Sequence, residues 1–180
     1  TSTDLMSSSG FKTTRTGFVL GTSFEQYNDL FLTFESSNYY ENLETSSIAS
    51  ATKKKQEGDY FENLFTYGIT LNKLNQNFKP TDGYISKFVQ TLPIYSDDWS
   101  IENRFDYSKF YPFENNSLIF STSLFAKSIT SLDGDVRASK RIYIPGKKLR
   151  GFERGKIGPK DGTEFIGGNY ATALNFNANL

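Results

Sequence analysis

The chain has 180 residues, with 20 Lys and Arg balancing 20 Asp and Glu, no Cys, no His, one Met and 16% aromatic residues. That length suits one domain, and the missing residue types exclude thiol nucleophiles, disulfides, thiolate or imidazole metal sites and any Ser-His-Asp triad. Zero net charge excludes a dominant electrostatic attraction to nucleic acid, and no apolar run of the length a transmembrane helix needs is present, which leaves a membrane β-barrel open.

Period-two alternation carries the fold signal. Arg15–Glu25 sets Phe18, Leu20 and Phe24 against Gly17, Val19, Gly21, Ser23 and Glu25, and a short turn at residues 25–28 joins it to Asn28–Glu41 as a hairpin. In the second strand Leu30, Leu32, Phe34 and Tyr40 oppose Asp29, Phe31, Thr33, Glu35, Ser37 and Tyr39. Phe61–Leu74 places Phe65, Tyr67, Ile69 and Leu71 on one side; Tyr84–Thr91 is ambiguous. Trp99–Tyr111 alternates Trp99, Ile101, Phe105, Tyr107 and Tyr111 with Ser100, Glu102, Arg104, Asp106 and Ser108. Ser117–Ser128 and Gly168–Leu180 complete seven predicted strands, and nothing of helical period competes.

Short turns at 25–28 and 112–116 alternate with long links at 42–60 and 129–166, and the link at 75–83 is intermediate. Tight turns on one side and long loops on the other, with aromatic residues near the strand ends (Tyr40, Phe61, Trp99, Tyr111 and Tyr170), are the asymmetry of an outer-membrane barrel. A water-soluble antiparallel sandwich or barrel alternates in the same way. The charges Glu102, Arg104 and Asp106 on one face suit a wet lumen, and the large apolar residues on the other suit lipid. Seven strands cannot close a membrane barrel. Thr1 is no initiator Met and Leu180 falls within an alternating pattern, so the sequence reads as an excerpt of something longer.

The segment between Lys140 and Lys160 holds eight Lys and Arg and a single acid, Glu153. Its Gly151 to Gly155-Lys156 spacing is one residue short of a P-loop, and Ile157 stands where a Ser or Thr would ligate the metal. A solvated basic loop is the plain alternative, whereas Gly155, Gly158, Pro159 and Gly162 suggest a fixed backbone path, and Arg150 suits a bidentate contact with a carboxylate. Asp97-Asp98 and Asp133-Gly134-Asp135 are either loop acids or ligands for a hard cation. Glu102 and Asp106 lie on one strand face, as an acid/base pair or, with Arg104 between them, as a balanced cluster.

Leu149-Arg150-Gly151-Phe152, then Ile157-Gly158-Pro159-Lys160-Asp161, then Gly167-Gly168-Asn169, resemble the signature of the BamA family of barrel-assembly insertases. Phe65-Thr66-Tyr67-Gly68 with Asn72-Lys73-Leu74, the turn Pro80-Thr81-Asp82-Gly83, and Arg141 to Gly146 are similar to the same family's mid-barrel hairpin and loop approach. The resemblance spans most of residues 61–180 and implies an all-β fold: a transmembrane antiparallel barrel of sixteen strands, of which residues 1–180 supply the sixth to the twelfth. It implies further that 129–166 is a long extracellular loop folded back into the lumen, that Arg150 there contacts inward-facing acids, that Glu102, Arg104 and Asp106 line the lumen and that Pro80–Gly83 is a periplasmic turn. Where the family commonly carries Glu on the last strand this chain has Asn177, which leaves the acidic partner of Arg150 open.

The implied activity is assembly and insertion of β-barrel proteins in the bacterial outer membrane, without covalent chemistry, cofactor or metal. The implied partners are unfolded outer-membrane proteins, outer-membrane lipids and accessory assembly lipoproteins, with no nucleic acid. A translocation and assembly paralogue or a two-partner secretion pore shares the Arg-Gly-Phe loop. A passive porin, with Arg104, Glu102 and Asp106 at its constriction, and a soluble sugar-binding sandwich are the alternatives from other classes. An excerpt of this kind is expected not to fold alone, because its two edges and apolar surface would stay open.

Overall fold

The computed structural model describes residues 2–6, 10–113, 118–153 and 155–179. Strands β1 (Ser2–Met6), β2 (Phe11–Tyr27), β3 (Leu30–Thr45), β4 (Gly58–Leu74), β5 (Gly83–Ser96), β6 (Ser100–Phe113) and β7 (Leu118–Ser131) follow one another as an antiparallel meander. A one-turn helix α1 (Ala51–Lys54) sits in the β3–β4 loop, and β8 (Lys160–Asp161) pairs with β9 (Glu164–Phe165) as a separate small hairpin. The last strand, β10 (Tyr170–Asn179), returns to pair with β7, so the main sheet has eight strands in the order β1-β2-β3-β4-β5-β6-β7-β10.

All seven predicted strands are present. The ambiguous Tyr84–Thr91 segment is the core of β5, and β1 is an eighth strand that its five residues did not announce by pattern. The first long link is shorter than expected, at 46–57, and the second keeps its length but lies three residues later, at 132–169, because strand pairing continues past the last clean alternation: Glu41 to Thr45 still pair with residues of β2. Ser117, Leu180 and the turn at 114–116 lie outside the described residues.

The turn chemistry follows the residues. Asn28-Asp29 closes β2 on β3 with Asp29 at φ 68°, a conformation Asp tolerates, and its N–H donates to Glu25 Oε1 at 2.7 Å. Lys73 Nζ reaches Asp29 Oδ2 at 2.7 Å and ties this turn to the end of β4. At the 75–82 link Asn75 Oδ1 accepts from the N–H groups of Thr81 and Asp82, both at 3.2 Å. Gly83, at φ 94°, begins β5 where a Cβ would stand 2.0 Å from the Lys73 carbonyl oxygen, so only glycine fits.

Register decides what each face carries. Partners opposite each other share a face, so Phe34 joins Tyr67, Ile69 joins Phe88, Phe88 joins Phe105, Tyr107 joins Leu124 and Leu124 joins Leu174 in one continuous apolar surface. None of the described residues covers it: Phe18, Leu20, Phe24, Tyr40, Tyr170, Leu174 and Phe176 are exposed, the last at 74%. At one rim the rings of Tyr40 and Phe61 lie 4.9 Å apart and those of Phe61 and Tyr95 5.8 Å apart. At the other, Tyr84 lies 6.1 Å from Tyr107. Tyr84 and Tyr95 mark the two rims on one strand, and eleven residues at about 3.3 Å each, tilted by about 40°, span about 28 Å, close to the apolar band of a bilayer.

The opposite, polar face is covered by the chain itself. The 132–169 loop packs against it, and the core lies between them: Phe125, Ile129, Ala171 and Ala173 of the wall meet Val136 and Ile142 of the loop, and Phe11 and Leu43 meet Ala138. Gly168 and Ile142 exchange backbone hydrogen bonds of 2.8 and 2.9 Å that close the base of the loop. The large apolar side chains thus face outward and the charges and the loop share the other side, the reverse of a soluble β-sandwich, whose apolar faces meet.

Candidate functional site: the inward loop and its anchors

Three sets of contacts hold the loop to the polar face. The first is at the long-loop rim. Arg137 lies in the loop six residues past the end of β7 and points across to β3 and β4, where Glu41 and Glu62 lie near each other on the polar face. Arg137 Nη2 donates to Glu62 Oε1 at 2.5 Å, and its Nε lies 3.5 Å from Glu41 Oε1 and 3.7 Å from Asp98 Oδ2. Its guanidinium also sits 4.0 Å over the Tyr60 ring, a cation–π contact. Arg137 is 2% exposed and both glutamates 0%.

Around this guanidinium the charges balance. Lys140 Nζ reaches Glu62 Oε1 at 2.8 Å and Asp98 Oδ2 at 3.4 Å, and Arg15 Nε donates to Glu41 Oε2 at 2.6 Å. Three cations therefore face three carboxylates. Ser96 Oγ donates to Glu62 Oε2 at 2.6 Å, and Gln56 Oε1 accepts from the Ala138 N–H at 2.8 Å, which brings the β3–β4 loop into the same cluster. Burial pushes the Asp98 carboxyl up, against the opposing pull of Lys140 and Arg137.

The second contact is deeper. Lys148 Nζ donates to Asp106 Oδ1 at 2.9 Å, Arg104 Nε donates to Asp106 Oδ2 at 2.6 Å, and Asn175 Nδ2 donates to the Lys148 carbonyl at 3.0 Å. Arg104 and Lys148 both lie over the Phe125 ring, at 5.6 and 5.5 Å. Asp106 and Asn175 are mid-strand residues, so Lys148 is held at mid-depth on the polar face. The third contact pairs Glu164 of β9 with Lys53 of α1 at 2.5 Å.

The residues singled out by sequence fall around these anchors. Glu102 pairs with Lys127 at 2.8 Å, so Glu102, Arg104 and Asp106 form a wall cluster with Lys127 and Lys148, and both carboxylates of the candidate acid/base pair are occupied by cations. Arg150, Gly151 and Phe152 follow Lys148 within four residues and are exposed, with Gly151 at φ 84°. Among the described residues no carboxylate pairs with Arg150; the guanidinium buried against inward acids is that of Arg137. The physical reason is the placement of the acids: Glu41, Glu62 and Asp98 all lie at the rim, beside the base of the loop, whereas Arg150 is exposed two residues beyond Lys148. Asn177 Nδ2 lies 3.5 Å from Ser121 Oγ on the polar face.

Ile157, Gly158 (φ 121°) and Pro159 lead into β8, where the Pro159 carbonyl accepts from Ile166 N–H at 3.0 Å, and Lys160 and Asp161 form the first arm of the small hairpin. Gly167 (φ 73°) lies against the Tyr143 ring, where a Cβ would come within 3.0 Å, Gly168 closes the loop base, and the Asn169 carbonyl accepts from Ile129 N–H at 2.8 Å. Pro80, Thr81, Asp82 and Gly83 form the β4–β5 turn at the opposite rim.

The loop acids weighed as cation ligands are engaged by protein donors. Asp97 Oδ2 accepts from Phe61 N–H at 2.7 Å, Asp135 takes both hydrogen bonds from Arg141, at 2.9 and 2.7 Å, and the described residues hold no group of three acids placed to share a metal. Asp133 Oδ2 accepts from Trp99 N–H at 3.0 Å, and this bond above all holds its carboxyl below the ordinary carboxylate range. A cavity of about 230 Å³ remains between loop and wall, but Arg15, Lys127, Lys140 and Arg141 in its lining each already have a carboxylate partner.

Sequence reasoning missed the rim cluster. Its signal was a pair of glutamates near the ends of adjacent strands, Glu41 and Glu62, facing a basic run, Arg137 to Arg141, across the chain.

Two outcomes follow. Arg137→Met leaves three buried carboxylates with two cations and is expected to lower barrel stability by about 3–5 kcal/mol, whereas Arg150→Ala, at an exposed position, is expected to change it by about 0.5 kcal/mol or less. Urea titration of the detergent-refolded protein, followed by heat-modifiable gel mobility, separates the two. Second, an acid with a lowered pKa stabilises the fold above its unfolded value and loses that contribution as pH falls through the lowered one. Asp133 therefore protects the Trp99 amide from hydrogen exchange at neutral pH, with protection lost below the ordinary carboxylate range and absent at all pH values in Asp133→Ala. Asp98 has the opposite sign, since its ionised form is the one that burial penalises.

Comparison with known proteins places this architecture. A search of curated proteins finds no match. Among solved structures, the crystal structure of BamA from Haemophilus ducreyi lacking POTRA domains 1–3 superposes with a TM-score of 0.82 at 18% identity, over 92% of this chain and 37% of that one. The chain thus spans well under half the length of that structure and shares its barrel fold. Residues 2–176 match the Omp85 superfamily domain, and the chain accordingly belongs to the Omp85 superfamily of outer-membrane β-barrel proteins.

Proposed function

We propose that this protein is an outer-membrane assembly factor that folds and inserts β-barrel proteins into the bacterial outer membrane. The observation that carries the reading is the inward loop: family membership is joined here to a loop that enters the polar side of the sheet, is fixed at mid-depth by Lys148 on Asp106 and Asn175, and presents Leu149-Arg150-Gly151-Phe152 beyond that point. A passive pore needs an open, wet constriction. In this chain the same face carries a packed loop whose anchoring cations, Arg137, Lys140 and Lys148, each meet a carboxylate of the wall.

No covalent step is required of these residues. The wall supplies a rigid frame with a lipid-facing surface, and the loop supplies a fixed feature inside it. The partners on this reading are unfolded outer-membrane proteins, the surrounding lipids and accessory lipoproteins. Arg150, unpaired within the described residues, is the side chain available to contact a carboxylate from elsewhere in the barrel or from a client, and its planar fork suits a bidentate contact.

In cells depleted of their own insertase, the full-length gene product with Arg150→Ala is expected to lose support of outer-membrane protein assembly while its own barrel keeps heat-modifiable mobility. Normal client assembly with altered small-solute permeability contradicts the proposal and favours a passive porin.

A further inference from the structure

The pair Lys53–Glu164 joins two loops that the sequence separates by 111 residues. Lys53 is the last but one residue of α1, in the β3–β4 loop, and is 2% exposed. Its Nζ donates to Glu164 Oε1 at 2.5 Å, and the second carboxylate oxygen accepts from the Ser50 N–H at 3.1 Å. Glu164 belongs to the β8–β9 hairpin, the segment by which the inward loop climbs back from its tip to β10.

Three further features shape this contact. Lys53 Nζ lies 5.3 Å over the Phe11 ring at the start of β2. Gly10, at φ 69°, leaves the space in which the glutamate sits: a Cβ there would stand 2.9 Å from Glu164 Oε1 and 3.1 Å from Ala49 Cα. Ser46 N–H donates to the Gly10 carbonyl at 2.9 Å, so the β1–β2 turn and the β3–β4 loop are themselves bonded. The return arm of the loop is therefore held by the far side of the sheet, at β2 and β3, while its outgoing arm is held through Arg137 at β3 and β4. Removing either partner leaves the other's buried charge without this counter-ion, which is penalised.

We propose that Lys53 is a positioning residue of the inward loop: acting through Glu164, the β3–β4 loop fixes the return arm and so sets where Leu149 to Phe152 stand inside the barrel. This rests on the assembly reading above for its functional consequence, but its structural content is independent of it.

The test uses the full-length gene product in detergent and in cells, with Lys53→Met, Glu164→Ala and the double variant. Hydrogen exchange read by mass spectrometry is expected to rise about tenfold or more for peptides covering residues 160–168 in each single variant, a change of about 1.4 kcal/mol in local opening. The double variant is expected to exchange no faster than the singles, as coupled partners require. Heat-modifiable mobility reports that the barrel remains folded, and client assembly in insertase-depleted cells is expected to fall with Lys53→Met. Unchanged exchange in the singles, or strictly additive effects in the double, overturns the proposal. Raised, non-additive exchange with undiminished client assembly upholds the anchor and instead defeats the assembly reading of the loop.

Discussion

A sheet whose one face is a continuous field of Phe, Leu, Tyr and Ile, covered by none of the described residues, is stable only where that face has an apolar solvent. Everything else in this molecule follows from that constraint. Apolar residues normally face inward because burial removes their surface from water, at about 25 cal/mol per Å². Here Phe18, Leu20, Leu174 and Phe176 stand outward, the aromatic rims are spaced to match a bilayer, and the polar residues are turned to the side where the chain folds over itself. Backbone groups in such a solvent must all be paired, which long antiparallel strands achieve and an open edge does not.

The charged interior is the second half of the same logic. With lipid on the outside, the wall can present glutamates and arginines only inward, and a half-dry space makes each unpaired charge costly. The loop answers this by bringing cations to the acids: Arg137 and Lys140 to Glu41, Glu62 and Asp98, and Lys148 to Asp106. Such pairs add modest net stability, since desolvation offsets much of the attraction, but they select one placement of the loop because any other leaves buried carboxylates alone. The loop and the wall are thereby one unit.

Much of this was legible in the sequence, for reasons that are physical. A strand half in lipid must alternate at period two over ten residues or more, so most of Trp99–Tyr111 and the described part of Gly168–Leu180 were readable from their alternation, and Glu102, Arg104 and Asp106 fell on the polar side as expected. The strand ends were not legible, because pairing outlasts alternation near the rims. The loop anchors were not legible either: a contact between Arg137 and Glu62 spans 75 residues and leaves no periodic trace, and the motif that drew the eye, around Arg150, is exposed and stands apart from the buried base. Short elements such as β1 and α1 carry too few residues for any pattern to register.

The account rests on which face of the sheet meets lipid, and one measurement addresses it directly. Nitroxides placed singly along β10, at residues 170 to 176 of the full-length protein in liposomes, are compared for collision with oxygen and with a water-soluble nickel chelate. The account predicts a period of two: residues 170, 172, 174 and 176 accessible to oxygen and shielded from nickel, with 171, 173 and 175 shielded from oxygen. Nickel access at Tyr170, Leu174 and Phe176, or no alternation at all, would contradict it.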